Sequence, residues 1–178
     1  MHISKIITSI SKINGLLFSL KNIFPTDCLV KLYYAFAFPH INLHILTWGS
    51  APPTHLNALQ VAQNNLMRNI FRTNSINFIY NQTGILNINS LYNLKLAVFM
   101  FQQLLGNDLF SPLLRGMEWG HTYNTRRINV VRRPLARVSF NQRFWFSRGL
   151  RLWDSLPIAV KNSLSVKQFR KRYRALML

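Results

Sequence analysis

The chain has 178 residues, 49% hydrophobic and 13% aromatic, enough apolar material for a packed core and too much for a disordered basic tail. Its 22 Lys and Arg stand against 4 Asp and Glu, a formal charge of +18, which implies a polyanionic partner, nucleic acid or an anionic membrane surface. The single cysteine, Cys28, excludes an internal disulfide framework and a cysteine-based zinc site.

Ile3, Ile6, Ile7, Ile10, Ile13, Leu17 and Leu20 recur at three-to-four spacing and predict an amphipathic helix that Asn22 to Pro25 ends. Thr26 offers an N-cap oxygen to the next helix and Asp27 suits its first turn; the apolar run from Leu29 continues to Pro39, where a break or kink is expected. A further piece runs through Trp48, and Gly49 to Pro53 is punctuation. Leu56, Leu59, Ala62, Leu66, Met67 and Ile70 then trace one face of a helix closing in Arg68 and Arg72. Residues 74–89 are Asn-rich and read as a connector with a short extended piece around Asn77 to Tyr80. Ser90 is read as the cap of a helix with Leu91, Leu94, Val98, Phe101 and Leu105 on its core face and Gly106 as its stop.

From Arg115 onward the character changes: 15 of the 22 basic residues fall here, against only Glu118 and Asp154. Residues 120–140 lack helical period and read as a β-ribbon or an extended arm. The aromatic stretch FWFSRGLRLWDSLP leads to Pro157, and Ser165 and Gln168 at capping-box spacing announce a last, basic amphipathic helix with Val166, Phe169, Tyr173 and Leu176 on its apolar side. The expected class is mainly α: a helical bundle over 1–72, a connector and helix completing the core over 73–114, and a basic, partly irregular region over 115–178 ending in the amphipathic helix.

Residues 32–48 lie in a stretch free of Lys, Arg, Asp and Glu, but Pro39, His40, Asn42 and His44 would sit at the bilayer centre. A buried helix pair is therefore expected rather than a membrane span. No apolar signal segment with a cleavage site opens the chain, so an intracellular protein, cytoplasmic or nuclear, is expected rather than a secreted one.

Two-metal phosphoryl transfer needs two or three converging carboxylates. Asp27, Asp108, Glu118 and Asp154 are scattered, so no catalytic residue is assigned and no metal or cofactor is expected within the chain. His40 and His44, four apart, have the spacing of paired zinc ligands, yet residue 41 is Ile where the general base would stand. Semi-buried histidines are the expected reading. No GxSxG turn or cysteine-protease signature is present.

The basic tract carries the functional expectation. Arg126, Arg127, Arg132, Arg133, Arg137, Arg143, Arg148 and Arg151 are interleaved with Tyr123, Phe140, Phe144, Trp145 and Phe146, and the final helix adds Lys167, Arg170, Lys171 and Arg174. Guanidinium forks suit phosphates and rings suit bases. The rings at helical spacing, Phe144, Trp145, Phe146 and Trp153, are expected in a small core.

SKINGLLFSLKNIFP (11–25), LYYAFAFPHINLHILTWGS (32–50), HLNALQVAQNNLMRNIF (55–71), HTYNTR (121–126), RLWDSLP (151–157) and SLSVKQFRKRYRALM (163–177) stand in an order that resembles the C-terminal part of the reverse transcriptase of non-LTR retrotransposons similar to jockey and CR1 elements. The resemblance implies that residues up to about 72 are the region after the palm, including the thumb that grips template and primer, and that the rest is the element's C-terminal domain. It implies palm carboxylates, and the Mg they would hold, upstream of Met1, since no position here matches them, and as partners RNA or an RNA–DNA hybrid together with the palm and fingers. Its matching positions are His121, Tyr123, Asn124, Thr125, Arg126, Trp153 and Pro157, where His121 and Asn124 shape a turn and Arg126 begins a phosphate-facing arm, or the block is a structural turn alone. The expectation is a non-catalytic fragment of an RNA-directed DNA polymerase that keeps its nucleic-acid grip. The alternative is a basic membrane-associated or protein-interaction module.

Overall fold

A computed structural model describes residues 2–105 and 145–177. The expected stop at Gly106, the acids Asp108 and Glu118, the ribbon or arm over 120–140 and the HTYNTR block lie outside the described residues. Helix dominates, and no strand occurs among the described residues, so the mainly α class holds. The chain divides into two compact units, Met1–Tyr92 and Asn93–Leu178.

The first unit is organised by two long helices, α1 (His2–Leu20) and α5 (Pro53–Phe71), packed along each other. Ile3, Ile6, Ile10 and Leu17 are buried on α1, and Leu56, Leu59, Leu66, Met67 and Ile70 on α5, as their spacing predicts. Ala62 is only half-buried, and the polar Gln63 is buried beside it. The Asn69 side chain donates to Asn14 Oδ1 at 2.7 Å, joining the two helices, and the Arg72 guanidinium donates to the Lys21 carbonyl. Arg72 itself ends α5 in the left-handed region, with φ 54°.

Between the long helices, α2 (Thr26–Leu32), a π-helical turn (Tyr33–Ala37) and α3 (Phe38–Asn42) form one continuous rod. Two expectations are corrected here. Thr26 is not the cap: Pro25 holds that position without a side-chain bond, and its carbonyl accepts from Cys28 and Leu29. Nor does Pro39 break the helix. A proline lacks the N–H that the carbonyl four residues back requires, and its ring collides with that carbonyl. The chain widens by one residue, so that the Phe38 N–H reaches Tyr33 O, and Pro39 enters the first turn of α3. The break comes later, at Leu43 and His44, the latter at φ 52°. Since α3 ends at Asn42, His40 and His44 share no helical face, and both are exposed rather than semi-buried. The short α4 (Ile45–Trp48) follows, with the Trp48 indole donating to Leu43 O at 2.8 Å. Among the described residues no helix is long and apolar enough to cross a membrane.

The Asn-rich connector is also corrected. Residues Ile76–Thr83 form α6, not an extended piece, and bury Ile79. Gly84 at φ 63° ends it, its N–H returning to Tyr80 O. α7 (Ile88–Leu105) starts two residues before the expected cap, because Asn87 Oδ1 accepts from the Ser90 N–H at 2.8 Å. A predicted single core face understates α7: Tyr92, Leu96, Ala97 and Met100 are buried as well as Leu91, Leu94, Val98 and Phe101, the pattern of a helix covered on several sides.

The second unit contains the later part of α7 with α8 (Trp145–Ser155), α9 (Ile158–Lys161) and α10 (Val166–Ala175). Its core is aromatic. Phe101 and Phe169 stack at 4.3 Å between centroids, Trp153 lies parallel to Phe169 at 6.1 Å, and Trp145 meets Phe99 edge-on at 5.2 Å. Of the rings at helical spacing, Trp153 is buried in this core and Trp145 is half-buried against Phe99, while Phe144 lies outside the described residues.

Candidate nucleic-acid interface

The described part of the second unit holds nine Lys and Arg against a single carboxylate, Asp154. α10 starts with the expected cap: Ser165 Oγ accepts from the Gln168 N–H at 3.2 Å, and Gln168 Oε1 reaches back to the Leu164 N–H at 2.8 Å. Phe169 and Tyr173 anchor one side of the helix in the core.

That anchoring decides where the charges go. Lys167, Arg170, Lys171 and Arg174 occupy positions i, i+3, i+4 and i+7 and therefore share the opposite side, and all four are exposed. They form a ridge roughly 10 Å long at 1.5 Å of rise per residue. Arg172 falls between the ridge and the core and is drawn elsewhere, donating Nη1 to Ala159 O at 2.8 Å and to Ser163 Oγ at 3.4 Å. It ties α10 to the segment after α9.

The two candidate arginines of α8 differ from the ridge. Arg148 is half-buried and donates Nη2 to Asn93 Oδ1 at 3.0 Å, joining α8 to α7. Burial raises the Tyr173 pKa and the Arg148 charge pulls it partly back. Arg151 is exposed and donates Nε to Ser147 O of its own helix at 3.4 Å. Arg126, Arg127, Arg132, Arg133, Arg137 and Arg143 lie outside the described residues.

One cation was missing from the sequence reading. Lys95 lies on α7 in a segment that reads as core, yet it is half-buried. Burial holds its pKa below the ordinary lysine value, and the Arg170 guanidinium lowers it further. The two lie 75 residues apart in sequence, so no local pattern could have pointed to this influence.

Among the described residues no three His, Cys, Asp or Glu side chains gather where a metal ion could be held. The chemistry that the described surface offers is multidentate hydrogen bonding from cations to an anion, with phosphate oxygens the best geometric match for guanidinium forks. No family model, no curated protein and no solved structure matches the chain.

Proposed function

We propose that this chain is the grip of an RNA-directed DNA polymerase of the non-LTR retrotransposon kind: a thumb-like helical region and a basic C-terminal region that hold RNA or an RNA–DNA hybrid by its phosphates. The carboxylates and Mg of polymerisation would belong to a palm outside these residues, so the chain alone binds and does not polymerise. Its site of action would be intracellular, in the cytoplasm or nucleus, where such a nucleic acid is found.

The observation that carries this reading is the α10 ridge of Lys167, Arg170, Lys171 and Arg174, exposed together in a unit whose described residues include one carboxylate. An ordinary solvated helix face mixes both signs; one sign presented this densely repels itself until a polyanion neutralises it. The arginines of residues 115–144 add charge of the same sign along the chain.

Binding of the full chain to an RNA hairpin and to an RNA–DNA hybrid, measured from low to moderate salt, tests the proposal. Each phosphate contact contributes roughly 0.7 to 0.9 to the slope of log affinity against log salt, so four ridge contacts predict a slope steeper than about −3. Affinity that is flat across this range, or binding to anionic vesicles but to neither nucleic acid, overturns it.

A further inference from the structure

We infer that a half-exposed stripe of α7, joined by two rings of α8, is a stacking seat for an unpaired base; the inference rests on reading the chain as a nucleic-acid binder and adds base contact to the phosphate contacts of the ridge. From Leu91 to Gln103 every residue of α7 is buried except Asn93, Lys95, Phe99 and Gln102. Lys95, Phe99 and Gln102 stand at i, i+4 and i+7 and so share one side of the helix. Asn93, two residues before Lys95, faces elsewhere and accepts from Arg148 at 3.0 Å. The ring of the stripe is extended by α8. Trp145 meets Phe99 edge-on at 5.2 Å and 89°, and Phe146 meets Trp145 at 5.7 Å and 86°. All three rings are half-buried.

An edge-on contact covers at most one face of one ring, so partly exposed rings in this arrangement keep flat apolar surface. Any base can stack on such a surface, because every base has a π-face. One turn before Phe99, Lys95 supplies a cation for the phosphate of the stacked nucleotide. One turn after it, the exposed Gln102 supplies an amide that both donates and accepts, as base edges do. No carboxylate among the described residues of this unit opposes an anion here, since Asp154 stands two turns beyond Phe146 along α8. A purely apolar partner would leave the cation and the amide unanswered, whereas a nucleotide answers ring, cation and amide together. A duplex hides its base faces, so the seat takes an unpaired base.

The full parent chain, titrated with a single-stranded oligouridine and with an abasic strand of equal length, tests the seat without altering the protein. The phosphates are the same, so the abasic strand should bind about fivefold or more weakly, the loss of one stacked base. Phe99→Leu and Phe146→Leu keep apolar bulk but lose the flat ring. Each should weaken oligouridine binding by about fivefold or more while leaving the salt slope unchanged, because stacking releases no counterions. Phe99→Tyr and Phe146→Tyr keep the ring and should bind as the parent does. A blunt-ended RNA–DNA hybrid offers no unpaired base, so its affinity should be the same for parent and leucine variants; an equal loss on the hybrid would mean that the rings only shape the ridge, and overturns the seat. Equal binding of the two single strands by the parent overturns it as well, and if Lys171→Gln is still weakened, the ridge stands. If the parent chain binds no nucleic acid at all, the polyanion reading falls and this inference with it.

Discussion

Gln63, 1% exposed in the middle of α5, donates its Nε2 to the Tyr33 hydroxyl at 3.2 Å and to the Leu86 carbonyl at 3.1 Å. One amide thus ties α5 to the π-helical turn before Pro39 and to the loop that opens α7. Around it Gln60 Oε1 accepts from the Ile88 N–H at 2.8 Å, and the Tyr80 hydroxyl donates to Asn64 Oδ1 at 2.9 Å. Gln63→Ala leaves a buried hydroxyl and a part-buried carbonyl without their donor, at a cost of about 1 to 3 kcal/mol for such groups. A cavity adds to that, so a total loss of roughly 3 kcal/mol is expected in urea unfolding. Tyr33→Phe removes only one of the two bonds and should cost about 1 kcal/mol. Equal losses for the two variants would mean that the Leu86 bond contributes nothing.

The same tyrosines set an alkaline limit. Burial pushes the Tyr80 hydroxyl up to about 12, partly opposed by the Gln60 hydrogen bond, and burial raises Tyr33 further. Both folded-state values lie above the unfolded value of 10.0, so the stability they contribute is fully present below pH 10 and is lost as pH rises through the folded values. Helix content and tyrosinate absorbance, followed together from pH 9 to beyond 12, should show loss of helix accompanying ionisation of these two groups. Tyr80→Phe should move the helix transition to higher pH. A transition unmoved by that substitution would assign the alkaline limit elsewhere.

What the sequence disclosed and what it hid separate along physical lines. The apolar faces of α1 and α5 follow from a 3.6-residue period, and the start of α10 from a cap within three residues; these are local signals. Gln63 was invisible because a polar residue on an apolar face reads as noise until its partners, 30 and 23 residues away, are known. The helix over Ile76–Thr83 was hidden by Asn77 and Asn81, poor helix formers, and is held instead by packing of Ile79 and by the Tyr80 bonds to α5. In the candidate interface, the ridge on α10 was legible as spacing, whereas the Arg172 bonds to Ala159 and Ser163 depend on tertiary contacts.

Gly49, the C-cap of α4, and Gly149, within α8, should respond differently to alanine. A Cβ on Gly49 would lie 2.2 Å from the Tyr92 ring and 2.5 Å from the Ile45 carbonyl oxygen. A buried ring and a backbone atom cannot both withdraw, so Gly49→Ala should cost about 3 kcal/mol, the upper range for overpacking. On Gly149 the nearest atoms are Met100 Sδ at 2.8 Å and Cγ at 3.1 Å, and methionine readjusts easily. Replacing a mid-helix glycine by alanine returns about 1 kcal/mol of helix propensity, which roughly offsets that adjustment. Gly149→Ala should therefore lie within about 1 kcal/mol of the parent, while Gly149→Val, which adds bulk toward Leu96, should not. Chemical denaturation of the three variants decides; a Gly149→Ala cost equal to that of Gly49→Ala would show that α8 and α7 cannot adjust at this contact.

Neighbouring cations on α10 should separate stability from binding. Arg172 donates to Ala159 O and Ser163 Oγ, so Arg172→Ala should lose about 1 kcal/mol of stability, the range for a charged donor on an exposed side chain. Because it turns away from the ridge, its removal should change the salt dependence of nucleic-acid binding little. Lys171 is exposed on the ridge, so Lys171→Ala should leave unfolding within about 0.5 kcal/mol of the parent, as for surface substitutions generally. It should, however, weaken binding and reduce the salt slope by roughly 0.7 to 0.9. The two measurements on the two variants give four values. If Arg172→Ala reduces the slope as much as Lys171→Ala does, then binding depends on total charge rather than on the face that Phe169 and Tyr173 orient.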